Sequence, residues 1–201
     1  MPLFTISSPS QFRQKIQRSE FICFLFPISD VEQAREIISA HNREYANATH
    51  NCYAYICGFA QETQYYSDAG EPHGTAGKPI LNSLLRAGMT NCLAIVTRYF
   101  GGIKLGVKGL IDAYGGTVEE ALSLAARVEA VPQASLEIKA DYAIAEIVGA
   151  RVKDAGGIVH SSEWADRVTI RCSLPLSEWE QFRELLDGWR LQSRLDYRIE
   201  E

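Results

Sequence analysis

Residues 67–79 of the chain are Ser67-Asp68-Ala69-Gly70-Glu71-Pro72-His73-Gly74-Thr75-Ala76-Gly77-Lys78-Pro79, and a segment with helical periodicity follows them. A second glycine-rich stretch lies one short helix and one strand further on and also leads into a helix; it is Thr97-Arg98-Tyr99-Phe100-Gly101-Gly102-Ile103-Lys104-Leu105-Gly106-Val107-Lys108-Gly109. The first backbone N–H groups of a helix lack intrahelical partners, and the helix dipole favours negative charge beside them. The two stretches therefore predict an anion- or phosphate-binding site.

The charges around the two stretches point in the same direction. Residues 72–111 contain no Asp or Glu but five basic residues, so this window carries +5 in a chain whose net charge is −5. Such segregation of charge favours an anionic partner. The residues predicted to bind phosphate or nucleic acid are Gly74, Gly77, Lys78, Arg98, Tyr99, Gly101, Gly102, Lys104, Gly106 and Lys108.

A purely architectural role for the glycines is an equally good explanation of the same pattern. Small residues recur at steps of four and three residues between Gly102 and Gly116, and such a stripe lets a helix lie close against a neighbour. The first stretch is not a P-loop, because Pro72 stands where the first P-loop glycine belongs and Pro79 stands where Ser or Thr is required.

Composition sets the protein class. With 201 residues, 46% of them hydrophobic and 22% charged, the chain has the makeup of an ordinary soluble protein of one or two domains. The five cysteines include no C-x-x-C pair, so we predict neither a metal site nor a disulfide framework, and we assign no cofactor. The chain shows neither a signal peptide nor an apolar run long enough to cross a membrane, which predicts a cytoplasmic protein without a membrane partner.

Hydrophobic periodicity predicts a compact α/β domain over residues 1–130. Strands are expected at residues 3–6, 20–28, 49–58 and 91–99, and a capping box of Ser29 and Glu32 is expected to open the first helix. Residues 59–76 have no apolar period and are predicted to form a long loop. The apolar stripe of the last helix of this domain is predicted to consist of Val107, Ile111, Tyr114, Val118, Ala121, Leu122 and Ala125.

A second domain is predicted at residues 134–201, after a linker at residues 128–134. Its pattern indicates a strand, a helix, a hairpin, a second helix opened by a capping box of Ser177 and Glu180, and a final strand over residues 190–199. The order β-α-β-β-α-β is the ferredoxin-like motif, so the whole chain is assigned to the α+β class. The outward positions of its sheet carry basic residues without the aromatic residues that stack RNA bases, which favours a solvated face over an arginine-rich docking face.

The two glycine-rich stretches resemble the signature loops of the IMPACT family, in its bacterial YigZ-like branch. The resemblance extends to Ser19-x-Phe21-Ile22, to His50-x-Cys52 and to Ala113-Tyr114-Gly115, and the two-domain layout covers the whole chain. The sequence departs from the family pattern at Ala69, where a second Asp is frequent, and at His73, where small or polar residues are usual. Lys108 also replaces a common Gly, which adds positive charge.

The resemblance implies both a fold and a role. It implies an N-terminal domain with a left-handed βαβ unit, as in a ribosomal small-subunit protein and in GHMP kinases, and a C-terminal domain similar to the last domain of elongation factor G. Eukaryotic members of the family regulate translation by competing for the activator of the kinase that senses uncharged tRNA. For the bacterial branch, a role linked to translation or to nucleic acid is the usual inference.

Three functional hypotheses follow. The first is a non-enzymatic regulator that binds RNA or a component of the translation machinery through the basic glycine-rich face. The second is an enzyme of the hydrolase or phosphoryl-transfer type, because one long loop groups acidic, basic and hydroxyl side chains that suit acid–base chemistry; these are Asp68, Glu71, His73, Thr75 and Lys78. The third is a structural adaptor with a protein partner, in which the glycines only allow close packing.

Overall fold

The computed structural model describes residues 2–200, and the chain divides into two compact units between Ala130 and Val131. The first unit contains β1 (Phe4–Ile6), β2 (Ser10–Ile16), β3 (Ser19–Pro27), α1 (Val31–Glu44), β4 (His50–Cys57), β5 (Thr63–Ser67), α2 (Gly77–Arg86), β6 (Cys92–Tyr99), α3 (Gly106–Leu124) and β7 (Arg127–Glu129). The second unit contains β8 (Gln133–Ala140), α4 (Tyr142–Asp154), β9 (Ile158–Trp164), β10 (Val168–Pro175), a short 3₁₀ helix (Leu176–Glu178), α5 (Trp179–Leu191) and β11 (Leu195–Glu200).

The first unit is built on a five-stranded antiparallel sheet in the order β2-β3-β6-β4-β5. Strands β3 and β6 are apolar on both faces because both faces are covered. Helices α2 and α3 pack on one face over a core that includes Phe21, Cys52 and Tyr114. Helix α1 packs on the opposite face over a smaller core that includes Ile38 and Tyr55.

Two strands of this sheet were missed by the sequence prediction. Strand β2 is joined to β3 by a two-residue turn at Gln17 and Arg18, whose φ angles are +44° and +68°. Tight hairpins of this kind usually carry Asn or Gly, so the sequence offers no turn signal here. Strand β5 lies inside residues 59–76, which were predicted to be a loop, because Thr63–Ser67 is an exposed edge strand without apolar alternation.

Helix ends also differ in detail from the predictions. The first helix is capped by Asp30, whose side chain accepts from Gln33 N, so the predicted Ser29–Glu32 capping box is wrong by one position. Gly88 does follow the last turn of α2 with φ +65°, as predicted for a residue that ends a helix. The predicted stripe of α3 is correct from Tyr114 onward, but Val107 and Ile111 lie exposed at its N-terminal end.

The second unit contains a four-stranded antiparallel sheet in the order β11-β8-β10-β9, with the elements following one another as β-α-β-β-α-β. Its core holds Leu136, Ile138 and Ala140, the alternate residues of β8 that were predicted to point inward. Residues 128–134 are not a free linker, because Arg127–Glu129 pairs with β1 and Gln133 begins β8. The predicted capping box at Ser177 is replaced by the 3₁₀ turn, since α5 begins at Trp179 without a side-chain cap.

His41 is a buried polar residue on the α1 side of the sheet, and we expect it to make the free energy of unfolding depend on pH. Its Nε2 lies 2.8 Å from Thr97 Oγ1, and its ring stacks on Tyr45. Burial lowers the pKa of His41 to about 4. As the pH falls, the unfolded chain therefore binds a proton at His41 at a higher pH than the folded chain does. The free energy of unfolding should fall by roughly 2 to 3 kcal/mol as the pH drops from the ordinary pKa of histidine towards 4.

Urea unfolding followed by circular dichroism across that pH range would measure this effect. His41→Gln should flatten the pH dependence because Gln keeps a hydrogen-bonding side chain without a proton that titrates. An equally steep loss of stability in the His41→Gln variant would contradict the assignment.

Candidate binding face and the buried network beneath it

The first glycine-rich loop is closed on itself by Asp68. The Asp68 carboxylate accepts hydrogen bonds from the backbone N–H groups of Gly74 (2.8 Å), Ala76 (3.1 Å) and Gly77 (2.8 Å). These are the donors ahead of α2 that the sequence predicted for a phosphate. The protein supplies its own anion here, so the N–H groups of Gly74 and Gly77 are not available to an external one.

Glu71 and Arg98 form a buried ion pair under the loop. Arg98 Nη1 donates to Glu71 Oε1 at 2.6 Å, and the two side chains are only 6% and 4% exposed. The guanidinium carbon also lies 5.4 Å from the centroid of the Phe21 ring and 5.3 Å from that of the Phe100 ring, within cation–π distance of both. Arg98 was predicted to bind phosphate on the surface, but strand β6 directs it inward, where Glu71 neutralises it.

Tyr114 extends the network to helix α3. Its hydroxyl donates to Glu71 Oε1 at 2.8 Å and lies 3.4 Å from Cys52 Sγ. Cys52 Sγ also lies 2.9 Å from the carbonyl of Asp68. Burial raises the pKa of Cys52 to about 12 and raises that of Tyr114 well above its ordinary value, so both groups stay protonated as hydrogen-bond donors.

His50 and Ser19 complete the network. His50 Nδ1 lies 2.9 Å from the carbonyl of Ala69, which assigns the proton to Nδ1, and Nε2 lies 3.9 Å from Glu71 Oε1. Ser19 Oγ accepts from Arg98 Nη2 at 3.3 Å and from Gly101 N at 3.2 Å. The site residues predicted from the loops did not include His50, Ser19 or Tyr114, because they come from three other elements. Their only signal in the sequence was that they fall within the family-like motifs.

The remaining residues of the enzyme hypothesis do not converge on one point. His73 is 94% exposed and its Nδ1 is 3.7 Å from Asp68 Oδ2. Thr75 is buried and donates to the carbonyl of Pro72, while Lys78 is exposed. The loop thus divides into buried or half-buried groups that hold it together, namely Asp68, Glu71 and Thr75, and the exposed side chains of His73 and Lys78.

The second glycine-rich loop is attached to the same network at one end and open at the other. A Cβ at Gly101 would lie 2.0 Å from the carbonyl oxygen of Arg18, so only Gly fits against the β2–β3 turn. Gly102 and Gly106 have φ angles of +85° and +73° and no atom within 4 Å of a Cβ position. Tyr99, which precedes this loop, donates its hydroxyl to Asn47 Oδ1 at 3.2 Å.

Of the five basic residues in the window of residues 72–111, two arginines are paired with carboxylates and three lysines are not. Arg98 is paired with Glu71, and Arg86 is paired with Glu119. Lys78, Lys104 and Lys108 are exposed and make no ion pair with the described residues.

Helices α2 and α3 run in the same direction, so their N-terminal ends, which carry Lys78 and Lys108, lie at the same end of the helix pair. Pro79 lies beside Gly115, and further along α2 the side chain of Arg86 reaches Glu119. Lys108 precedes Gly115 by seven residues on the same helix face, which is about 10 Å along the axis. The N-terminal ends of both helices therefore share one side of the unit.

Apolar side chains are also exposed within residues 100–111, the stretch that contains Lys104 and Lys108. The exposed fractions are 45% for Phe100, 38% for Ile103, 62% for Val107 and 39% for Ile111. Exposed apolar side chains beside charged ones are typical of interaction sites. We group these exposed residues under the name lysine face; they are Lys78, Phe100, Ile103, Lys104, Val107, Lys108 and Ile111.

The outward sheet face of the second unit is neutralised by its own carboxylates. Glu137 contacts both Arg171 (3.0 Å) and Arg198 (3.1 Å), and Arg171 also contacts Glu163 at 2.8 Å. These arginines lower the pKa of Glu137, although burial alone would raise it. The sequence-based preference for a solvated face over an arginine-rich docking face agrees with these pairs.

Residues 17–122 match the family model described as the Impact N-terminal domain, which is more than half of the chain. The chain belongs to the IMPACT family. This confirms the resemblance inferred from the two loops. The matched region contains both loops, the buried network and the lysine face.

Two bacterial relatives in the IMPACT family align with most of this chain. The chain is 35% identical to the IMPACT family member YvyE of Bacillus subtilis over 181 residues, covering 90% of this chain and 83% of YvyE. It is 32% identical to the IMPACT family member YigZ of Escherichia coli over 197 residues, covering 97% of each. The chain is thus a bacterial YigZ-like member of the family.

A solved structure described as a hypothetical protein is similar over the full length. It aligns with a TM-score of 0.68 and 31% identity, covering 100% of this chain and 98% of that chain.

Among residues 2–200, none of the helices combines the length and the hydrophobicity that a membrane span requires.

Proposed function

We propose that the protein is a non-enzymatic regulator of translation that docks through the lysine face on RNA or on a component of the translation machinery. Membership of the IMPACT family supports the link to translation, because the eukaryotic branch of the family acts there. The proposed contact residues are those that the two loops leave on the surface. Lys78, Lys104 and Lys108 supply charge, and the open backbone at Gly102 and Gly106 allows close approach.

One observation carries this proposal. The acidic side chains of the signature loops all point inward. Asp68 accepts hydrogen bonds from backbone N–H groups, and Glu71 is paired with Arg98. The lysines around them are left without partners among the described residues. Positive charge mixed with exposed apolar side chains suits an anionic macromolecular surface better than a small substrate.

The enzyme hypothesis has less support from the geometry. A general acid or base must reach a substrate, yet Glu71 is 4% exposed and its Oε1 already accepts from Arg98 and Tyr114. His73 is exposed but has no other ionisable partner within 4 Å besides Asp68 in the described chain. The protein's cellular activity is therefore expected to survive His73→Ala.

The triple variant Lys78→Ala, Lys104→Ala, Lys108→Ala tests the lysine face. If the face binds RNA, the variant should lose affinity for all sequences alike. Its log–log dependence on salt should also be shallower by about two to three units, since each phosphate contact contributes about 0.7 to 0.9. Fluorescence anisotropy with structured and single-stranded RNA, titrated with salt, measures both quantities.

The chain offers a matched control. It contains six lysines, and Lys15, Lys139 and Lys153 are exposed but lie outside the lysine face. Replacing these three by Ala gives the same net charge, so it separates a local site from a general effect of charge. Equal binding by the two triple variants would exclude the lysine face as an RNA site.

A further inference from the structure

A groove lined by tyrosines lies on the α1 side of the first unit, on the sheet face opposite α2 and α3. It has a volume of about 610 Å³ and runs between α1 and strands β4 and β5. Tyr53, Tyr55 and Tyr65 form its floor, because Tyr55 and Tyr65 are directly opposite in the strand register and Tyr53 is diagonal to Tyr65. Helix α1 leaves this edge of the sheet uncovered, so the Tyr65 side of the floor is open.

The three tyrosine rings have nearly parallel planes and form a stacked aromatic cluster, which we call the platform. The ring of Tyr65 is 5.6 Å from that of Tyr55 and 6.1 Å from that of Tyr53, and its plane is within 25° of both. Tyr65 is 50% exposed, whereas Tyr55 is 6% exposed and fixes the platform in the core. The platform therefore presents an aromatic surface whose geometry is set before any ligand binds.

The walls of the groove are basic and polar. Arg35, Asn42 and Arg43 line it from α1, and no carboxylate is among its lining residues in the described chain. Glu32 contacts Arg35 at 3.4 Å, but both side chains are about 70% exposed, so this pair is weak and is readily exchanged for a phosphate. Arg43 makes no ion pair within 4 Å among residues 2–200.

We propose that this groove binds single-stranded RNA, with a base stacked on Tyr65 and the phosphates held by Arg35 and Arg43. Aromatic surfaces flanked by arginine are the usual means of holding unpaired bases, because every base has a π-face. The two arginines are eight residues apart, which is about 12 Å along α1. That separation is longer than one nucleotide, so the groove suits a strand rather than a mononucleotide.

This site is independent of the lysine face. None of the lysine-face residues is among those that line the groove, and helices α2 and α3, which carry Lys78 and Lys108, pack on the other face of the sheet. In the sequence, the outward sheet positions of the second domain carry no aromatic residues where RNA bases would stack. The stacking surface arises instead from β5, a strand that the sequence prediction missed.

The test uses the full chain and a short fluorescein-labelled oligouridine at low ionic strength. Tyr65→Leu should weaken binding about 5- to 100-fold, as expected when one stacked base loses its platform. Arg43→Ala should lower the log–log salt slope by about 0.7. Both substitutions are at exposed positions, and circular dichroism would verify that the variants are folded.

Two further measurements locate the effect. Tyr142→Leu is the matched control, because Tyr142 is 53% exposed but lies in the second unit, and it should leave binding unchanged. Tyr65→Leu should still weaken binding in the background of the lysine triple variant, and 4-thiouridine RNA should crosslink to residues 53–65. The proposal is overturned if Tyr65→Leu binds like the wild type, if the crosslinks lie elsewhere, or if uridine monophosphate competes as well as the oligonucleotide.

Discussion

Glu71→Gln should lower the free energy of unfolding of the first unit by roughly 3 to 5 kcal/mol, which is the usual cost of breaking a buried ion pair from one side. The substitution keeps the shape of the side chain but leaves the buried charge of Arg98 without a counterion. No other carboxylate lies within 4 Å of Arg98 in the described chain. The remaining contact, to Ser19 Oγ at 3.3 Å, does not neutralise the charge.

An exposed ion pair in the same unit provides the control. Arg86 and Glu119 also join two elements, but their side chains are 64% and 55% exposed, so Glu119→Gln should cost less than about 1 kcal/mol. All three tryptophans, Trp164, Trp179 and Trp189, lie in the second unit. Denaturant unfolding should therefore shift the circular dichroism transition of the Glu71→Gln variant and leave its tryptophan transition in place.

Equal costs for Glu71→Gln and Glu119→Gln would show that the buried network does not hold the loops. A milder variant keeps the test informative if Glu71→Gln fails to fold. Tyr114→Phe removes only the hydroxyl that donates to Glu71, and a hydrogen bond to a charged group contributes about 1.5 to 3 kcal/mol.

Gly101→Ala should destabilise the first unit by at least about 3 kcal/mol. The added Cβ would lie 2.0 Å from the carbonyl oxygen of Arg18 and 2.6 Å from Ser19 N, and backbone atoms cannot rotate away as a side chain can. Either the β2–β3 turn or the second loop must move. Either movement would also break the hydrogen bond from Gly101 N to Ser19 Oγ.

The corresponding substitution at Gly116 should raise the free energy of unfolding instead of lowering it. Gly116 lies within α3 and has no atom within 4 Å of a Cβ position, so Gly116→Ala gains helix propensity of roughly 1 kcal/mol. Thermal unfolding of both variants would compare them directly. A Gly101→Ala variant as stable as the wild type would mean that the close approach of the loop to the turn is not required.

The fold was predictable wherever the signal was local. The alternating residues of β8 and the glycine that ends α2 each follow from a short stretch of sequence, and each is present in the structure. Strands β2 and β5 were missed for physical reasons. The β2–β3 turn places Gln17 and Arg18 at positive φ without a glycine, and β5 is an edge strand whose residues are mostly exposed.

The location of the site could be predicted from the sequence. Which of its charged residues are buried and paired, and which are left exposed, could not. The sequence identified both loops and the basic window, yet a charge count cannot show which cations are neutralised. Arg98 belongs to a strand whose alternation turns it inward, and its partner Glu71 is 27 residues away along the chain. Likewise, the donors of Gly74 and Gly77 are occupied because the loop folds back on Asp68, a contact between residues that are close in sequence but follow no helical or strand period.

Co-sedimentation with ribosomes tests the docking function of the lysine face most directly. Lysate containing the wild type, the Lys78→Ala, Lys104→Ala, Lys108→Ala variant, or the Lys15→Ala, Lys139→Ala, Lys153→Ala control would be centrifuged at low salt, with and without nuclease. We expect the wild type and the control to pellet with the ribosomes, and the lysine-face variant to stay in the supernatant. Sedimentation of both triple variants alike, or a wild type that never pellets, would contradict the proposal.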